Sequence, residues 1–179
     1  MMRHKIVIAN SKQAHCGKST SVRYVFELLS RRYPHRVLLP ATGYDPTQDV
    51  EAIIEIPQVD GHIVKVGIES QGDPGTKAYP PRIIQSIQDF LNEDCEIILM
   101  ATRTKGDTIA EVGKLRNLKW QAIWFDNSSM IVDSHNNQVD ATGTRLDKQD
   151  EQLQDQLSRD YGFCVASLIE RLVLKEGEL

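Results

Sequence analysis

Residues 5–32 read KIVIANSKQAHCGKSTSVRYVFELLSRR, and this stretch changes character twice. Lys5 to Ala9 is a β-branched run short enough to be a buried strand. Eight residues follow, ending in Gly17, and then apolar side chains recur with helical spacing. From Ser19 to Arg32, Val22, Val25, Phe26 and Leu29 fall at i, i+3, i+4 and i+7, which draws one apolar stripe suited to packing on a sheet. Pro34 stops that helix.

Outward from this unit the same alternation continues. His35 to Pro40 reads as a short second strand, and the turn-rich ATGYDPTQD leads into Glu51 to Ile56. Asp60-Gly61 separates this run from His62 to Glu69, and Asp-Gly between two β-rich runs is a strong hairpin cue, so an antiparallel pair is expected here. Pro80 to Glu93 opens with prolines at a helix start and carries Ile83, Ile84, Ile87, Phe90 and Leu91 on one side. Glu96 to Ala101 is a further buried strand, Asp107 to Leu115 a helix, and Trp120 to Phe125 another strand, with Trp120 and Trp124 on one face as core residues. Asp133 to Asp147 is polar and reads as a surface loop. Leu153, Leu157, Tyr161, Val165, Leu168 and Leu172 mark a closing helix over about 148–174, with a break expected near Gly162. Strands alternating with amphipathic helices predict an α/β fold, a three-layer sandwich around a mostly parallel central sheet. With no repeat and no linker, residues 1–179 are expected to form a single nucleotide-binding domain with the closing helix packed on it.

Composition narrows the partners. Hydrophobic residues make up 40% of the chain and charged residues 26%, both near globular averages. No apolar run approaches the roughly 20 residues that a membrane span needs, and the short stretch after MMRHK is no secretory leader, so a cytoplasmic protein is expected. Twenty-one basic against twenty-five acidic residues give a formal charge of -4, which offers no global field for nucleic acid. Cys16, Cys95 and Cys164 lie far apart with no CxxC spacing, which excludes a structural zinc site and a disulfide framework. Cys95 and Cys164 read as small core residues.

The chemistry lies in Lys12 to Thr20, KQAHCGKST. A strand, a turn whose amides point inward and a helix whose positive end faces the same spot make an anion cradle. At this point the chain resembles the P-loop NTPases, whose motif is GxxxxGK[ST]. The resemblance assigns Lys18 to the β- and γ-phosphates, Ser19 to Mg²⁺, and Lys12, Gln13, Ala14, His15, Cys16, Gly17, Lys18, Ser19 and Thr20 to the nucleotide. Lys12 occupies the first-glycine position. A second lysine is similar to the signature lysine of the partitioning ATPases, whose loop reads roughly A-N-x-K-G-G-x-G-K-[ST]. Ala9-Asn10-Ser11-Lys12 matches the opening and Gly17-Lys18-Ser19 the close, with one extra residue and neither middle glycine between them. The likeness extends to RVLLPATGYDP, which resembles that family's second strand and Asp-Pro turn. With Asp45-Pro46 aligned on that turn, the family's first acid, which helps hold the attacking water, falls on Gly43, and Asp45 is the acid left as a catalytic candidate beside Lys12 and Lys18 and as a candidate carboxylate for the metal.

Metal and base complete the expectation. Glu69 ends the HIVKVGIE run, and with Asp73 and Ser19 it is a candidate Mg²⁺ ligand. ESQG is also similar to the DxxG of Ras-like GTPases, with Gly72 as the amide near a γ-phosphate. A guanine-type sequence, Thr104-Lys105-Gly106-Asp107, follows the wrong strand for guanine recognition, so ATP is favoured over GTP. Arg103 stands where a transition-state cation could reach the γ-phosphate. A switch-like, Mg-dependent ATPase is the first reading, and the resemblance implies ATP-dependent pairing of two copies and a protein partner. A small-molecule kinase and a non-catalytic nucleotide- or partner-binding module are the alternatives, although no dense arginine lid accompanies Arg145 and Arg159.

Overall fold

The computed structural model describes residues 5–11, 18–72, 82–102, 107–126 and 148–174. The β-branched first run forms strand β1 (Ile6–Ser11), and the apolar stripe after it lies on helix α1 (Lys18–Ser30). Then come β2 (His35–Leu39), β3 (Glu51–Pro57) and β4 (Ile63–Glu69). Helix α2 (Arg82–Asn92), β5 (Ile97–Thr102), helix α3 (Asp107–Asn117), β6 (Gln121–Asp126) and helix α4 (Lys148–Leu174) complete the α/β chain.

The six strands form one sheet in the order β2-β3-β4-β5-β1-β6. β1 pairs in parallel with β5 and β6, and β4 in parallel with β5. β3 runs against both β2 and β4. The expected mostly parallel sheet is therefore corrected to a mixed one. The physical reason is the tight Asp60-Gly61 turn, where Gly61 takes a φ of 84° and the chain reverses at once. A parallel neighbour would have needed a crossover of a dozen residues or so. Because β2 and β4 both oppose β3, they run the same way as β1 and β5. The segments that follow β1, β2, β4 and β5 consequently emerge along one sheet edge.

Side-chain alternation along β1 divides the core. Ile6 and Ile8 join a cluster with Val22, Val25, Phe26 and Leu29 of α1 and Val165, Ile169 and Val173 of α4. Val7 and Ala9 join the other, with Ile83, Ile87 and Phe90 of α2 and Val112 and Leu115 of α3. Each fully buried aliphatic or aromatic side chain contributes about 1.5–3 kcal/mol against exposure, so these two stripes hold the helices to the sheet.

Helix α4 runs through Gly162 without a break. A Cβ there would lie 2.8 Å from Tyr24 Cβ and 3.2 Å from the Ser21 carbonyl oxygen, so the glycine permits close approach of α4 to α1 and does not end the helix. Tyr24 donates to Asp155, which also accepts from Arg159 Nε at 2.9 Å, and Arg32 and Tyr33 both bond Glu170. Cys95 is in the core as expected, but Cys164 is exposed, because it lies on the side of α4 turned away from α1. Trp120 is buried while Trp124 is 42% exposed, on a strand that among the described strands pairs with β1 alone. No described helix is long and apolar enough to cross a membrane.

Candidate functional site

Of the site residues read from the sequence, the shared sheet edge carries Lys18, Ser19, Thr20, Asp45 and Glu69. Lys18 is the first residue of α1 and Ser19 and Thr20 complete its first turn, so the positive end of the helix dipole sits just past the end of β1. Asn10, one residue before the end of β1, donates from Nδ2 to the Lys18 carbonyl at 3.3 Å. Thr102 at the end of β5 donates to the Asn10 carbonyl at 3.5 Å, so the strand ends and the helix start are tied together. Both polar side chains are fully buried. Lys12 to Gly17, the rest of the expected cradle, lie outside the described residues, as do Asp73 and Arg103.

Lys18 itself is only 6% exposed, an unusual degree of burial for an ammonium-bearing side chain. Its stem lies against the turn that follows β4. A Cβ added to Gly72 would come within 3.2 Å of Lys18 Cε and 3.2 Å of Ala101 Cβ. Glycine at that position lets the backbone pass directly beside the lysine.

The segment between β2 and β3 joins the same edge. Arg23 donates from Nη2 to Thr20 Oγ1 at 3.2 Å and from Nη1 to the Gln48 carbonyl at 3.3 Å, bridging the first turn of α1 to this segment. Tyr44 donates to Glu27 at 2.5 Å and stacks at a tilt on Phe26. Asp45 is a turn cap: its carboxylate accepts from the Thr47 amide at 2.8 Å, the Thr47 hydroxyl at 2.6 Å and Gln48 Nε2 at 2.9 Å. The Thr47 hydrogen bonds hold the exposed Asp45 carboxyl below its ordinary range, so it is an anion at neutral pH. Gly43 has a φ of 97° with open space around a Cβ, so its constraint is conformational; an acid at that position would be strained. The segment closes on β4 through Val50 N to Ser70 Oγ at 2.8 Å and Ser70 N to the Val50 carbonyl at 3.0 Å.

Glu69, expected as a metal ligand, is 0% exposed and fully engaged. One carboxylate oxygen accepts from the Gln71 amide at 2.7 Å, and the other accepts from Arg82 Nε at 3.0 Å and Ser86 Oγ at 2.5 Å. Glu51, its cross-strand register partner, is 1% exposed and stands 3.7 Å from Arg82 Nε. Burial pushes the Glu69 carboxyl up to about 7 against the pull of Arg82 and of the Ser86 and Gln71 hydrogen bonds, and the Glu51 charge adds to the rise. Burial raises Glu51 as well. In this geometry the Glu69 carboxylate holds α2 to the end of β4. Arg82, Ser86 and Glu51 were not singled out from the sequence, although Glu51 opens β3 and Glu69 closes β4.

As for metal, no group of three or more His, Cys, Asp or Glu side chains that could hold an ion occurs among the described residues. Ser19, in the first turn of α1, is a hydroxyl at the right edge for a phosphate-bound cation, whereas Glu69 has no oxygen left unbonded. Comparison of the chain with protein-family models, with curated proteins and with solved structures finds no match.

Proposed function

We propose that this protein binds ATP with Mg²⁺ at the edge formed by β1, β4, β5 and α1, and hydrolyses it as a switch-like P-loop ATPase resembling the partitioning ATPases. One observation carries the reading: Lys18 opens α1 directly after the β1 loop, is buried, and lies along Gly72 at the end of β4. A strand end, a tight turn and the positive end of a helix meeting at one lysine suit a polyphosphate, whose oxygens accept from helix-start amides and from an ammonium alike. The two helix pairs on opposite sides of the sheet support a three-layer, P-loop-like architecture.

In this reading the amides of residues 13–19 and the Lys18 ammonium hold the β- and γ-phosphates, and Lys12 adds a second cation. The Ser19 hydroxyl, with Asp73, would hold Mg²⁺, which when bound would neutralise phosphate charge. Water attacks the γ-phosphorus, its proton leaves to solvent, and ADP departs with the bridging oxygen. Asp45, ionised and tied near α1 through Gln48 and Arg23, is the catalytic acid candidate on this edge. The turn-rich segment 41–50 would be a switch element in such an ATPase, and by resemblance ATP would bring two copies together and recruit a protein partner.

The test follows labelled γ-phosphate. Purified protein with Mg²⁺ and labelled ATP is expected to release inorganic phosphate, with GTP a poorer substrate. Label appearing on an added nucleoside or vitamin, and not in water, would replace hydrolysis by a kinase; no binding of either nucleotide would remove the reading.

A further inference from the structure

The Glu51–Glu69–Arg82–Ser86 cluster is poorly suited to stability alone. Two buried carboxyl groups stand opposite each other on neighbouring strands and share one guanidinium, which leaves an excess negative charge whenever both are ionised. Among the described residues, Glu51 Oε1, Gln71 Oε1 and Arg82 Nη2 are buried with no hydrogen-bond partner. Each such group costs about 1–3 kcal/mol, and apolar residues of the same volume would hold α2 to β4 more firmly. The cluster does have directional consequences. Glu69 grips the Gln71 amide with one oxygen, and Gly72, the next residue, lies against Lys18. With the other oxygen it grips Arg82 and Ser86, one turn apart on the first half of α2.

We infer that Glu69 is a positioning residue for the Lys18 site: it fixes the Gln71–Gly72 turn against the lysine stem by anchoring that turn to Arg82 and Ser86 of α2, and it is not a ligand of the metal. This rests on the nucleotide reading and deepens it. The acid at the end of this strand thereby acts through two side-chain donors and one backbone amide.

The experiment is a calorimetric titration of the full chain with ATP over a series of Mg²⁺ concentrations. Glu69→Gln is expected to weaken Mg·ATP binding about tenfold while the Mg²⁺ concentration for half-maximal ATP binding stays within about twofold of wild type. Arg82→Gln should cause a similar loss, the double variant should lose no more than either single one, and Arg82→Lys should come within about threefold of wild type, since it keeps the cation. A tenfold or larger rise in half-saturating Mg²⁺ for Glu69→Gln would make Glu69 a ligand and overturn the inference. So would wild-type affinity in that variant, or losses that multiply in the double one. Ser86→Ala removes only a hydroxyl and keeps the test open should the charged variants not fold: a loss of about threefold supports the anchor, and no loss overturns it. Failure of the wild type to bind Mg·ATP would instead sink the nucleotide reading, before any variant is compared.

Discussion

Replacing Glu69 by glutamine should change how stability depends on pH, and the structure sets both sign and size. The folded-state value of the Glu69 carboxyl is about 7 against an ordinary 4.5, because burial outweighs Arg82 and the two hydrogen bonds. A raised folded value means that the native state binds the proton more tightly than the unfolded chain. The favourable contribution is then fully present below about 4.5 and is lost as pH rises through about 7. At about 1.36 kcal/mol per unit, the whole loss is roughly 3 kcal/mol, most of it falling between about pH 5 and about pH 8. Glutamine does not titrate and keeps a carbonyl to accept the Gln71 amide. Urea unfolding of wild type and Glu69→Gln across that range reads the effect of Glu69 together with its coupling to Glu51, since titrating groups remote from this pair cancel in the difference. The stability difference should move in favour of the variant by about 2–3 kcal/mol as pH rises. A difference that stays flat would show that Arg82 holds Glu69 ionised at its ordinary value, and the reasoning from burial would be refuted.

Two further substitutions probe close approaches. Gly67→Ala would place a Cβ 2.5–2.8 Å from three ring carbons of the fully buried Phe90, and thermal unfolding should show a loss of about 1–3 kcal/mol, partly recovered by Phe90→Leu in the same chain. Gly72→Ala meets Lys18 Cε and Ala101 Cβ at 3.2 Å and the Ala101 carbonyl carbon at 3.3 Å, so the flexible lysine yields first and the β5 backbone by a few tenths of an ångström at most. Stability should therefore fall by less than about 1 kcal/mol while ATP affinity falls about tenfold; an unchanged affinity would separate Gly72 from the nucleotide.

Much of this fold is legible in one dimension because its elements are short and strongly patterned. The i, i+3, i+4, i+7 stripe of α1 and the apolar runs of β1 and β5 each have one solution in which their faces are buried. Strand direction is less legible, because it depends on which strands meet. The Asp60-Gly61 turn did announce that β3 opposes β4, but only the pairing of β2 with β3 makes β3 the one strand that runs against its neighbours. Gly162 was misread for a related reason: its helix-breaking tendency is local, and the contact with Tyr24 that requires it is not. Of the site, Lys18 and Ser19 were legible from their motif. The partners of Glu69 were missed, yet counting back from the hairpin turn sets Glu51 opposite Glu69, and two like charges at that spacing call for a cation. Arg82 and Ser86, four apart on the next helix, share the face that answers it.

The central claim, that the start of α1 is a polyphosphate site, is met most directly by titration calorimetry of the wild-type chain with ATP and Mg²⁺ beside Lys18→Ala. Saturable, Mg²⁺-dependent binding by the wild type is expected, with a loss of at least about a hundredfold in Lys18→Ala and a smaller loss in Lys12→Ala, whose larger effect should be on turnover. Equal heats for Lys18→Ala and wild type, or none from either, would contradict it.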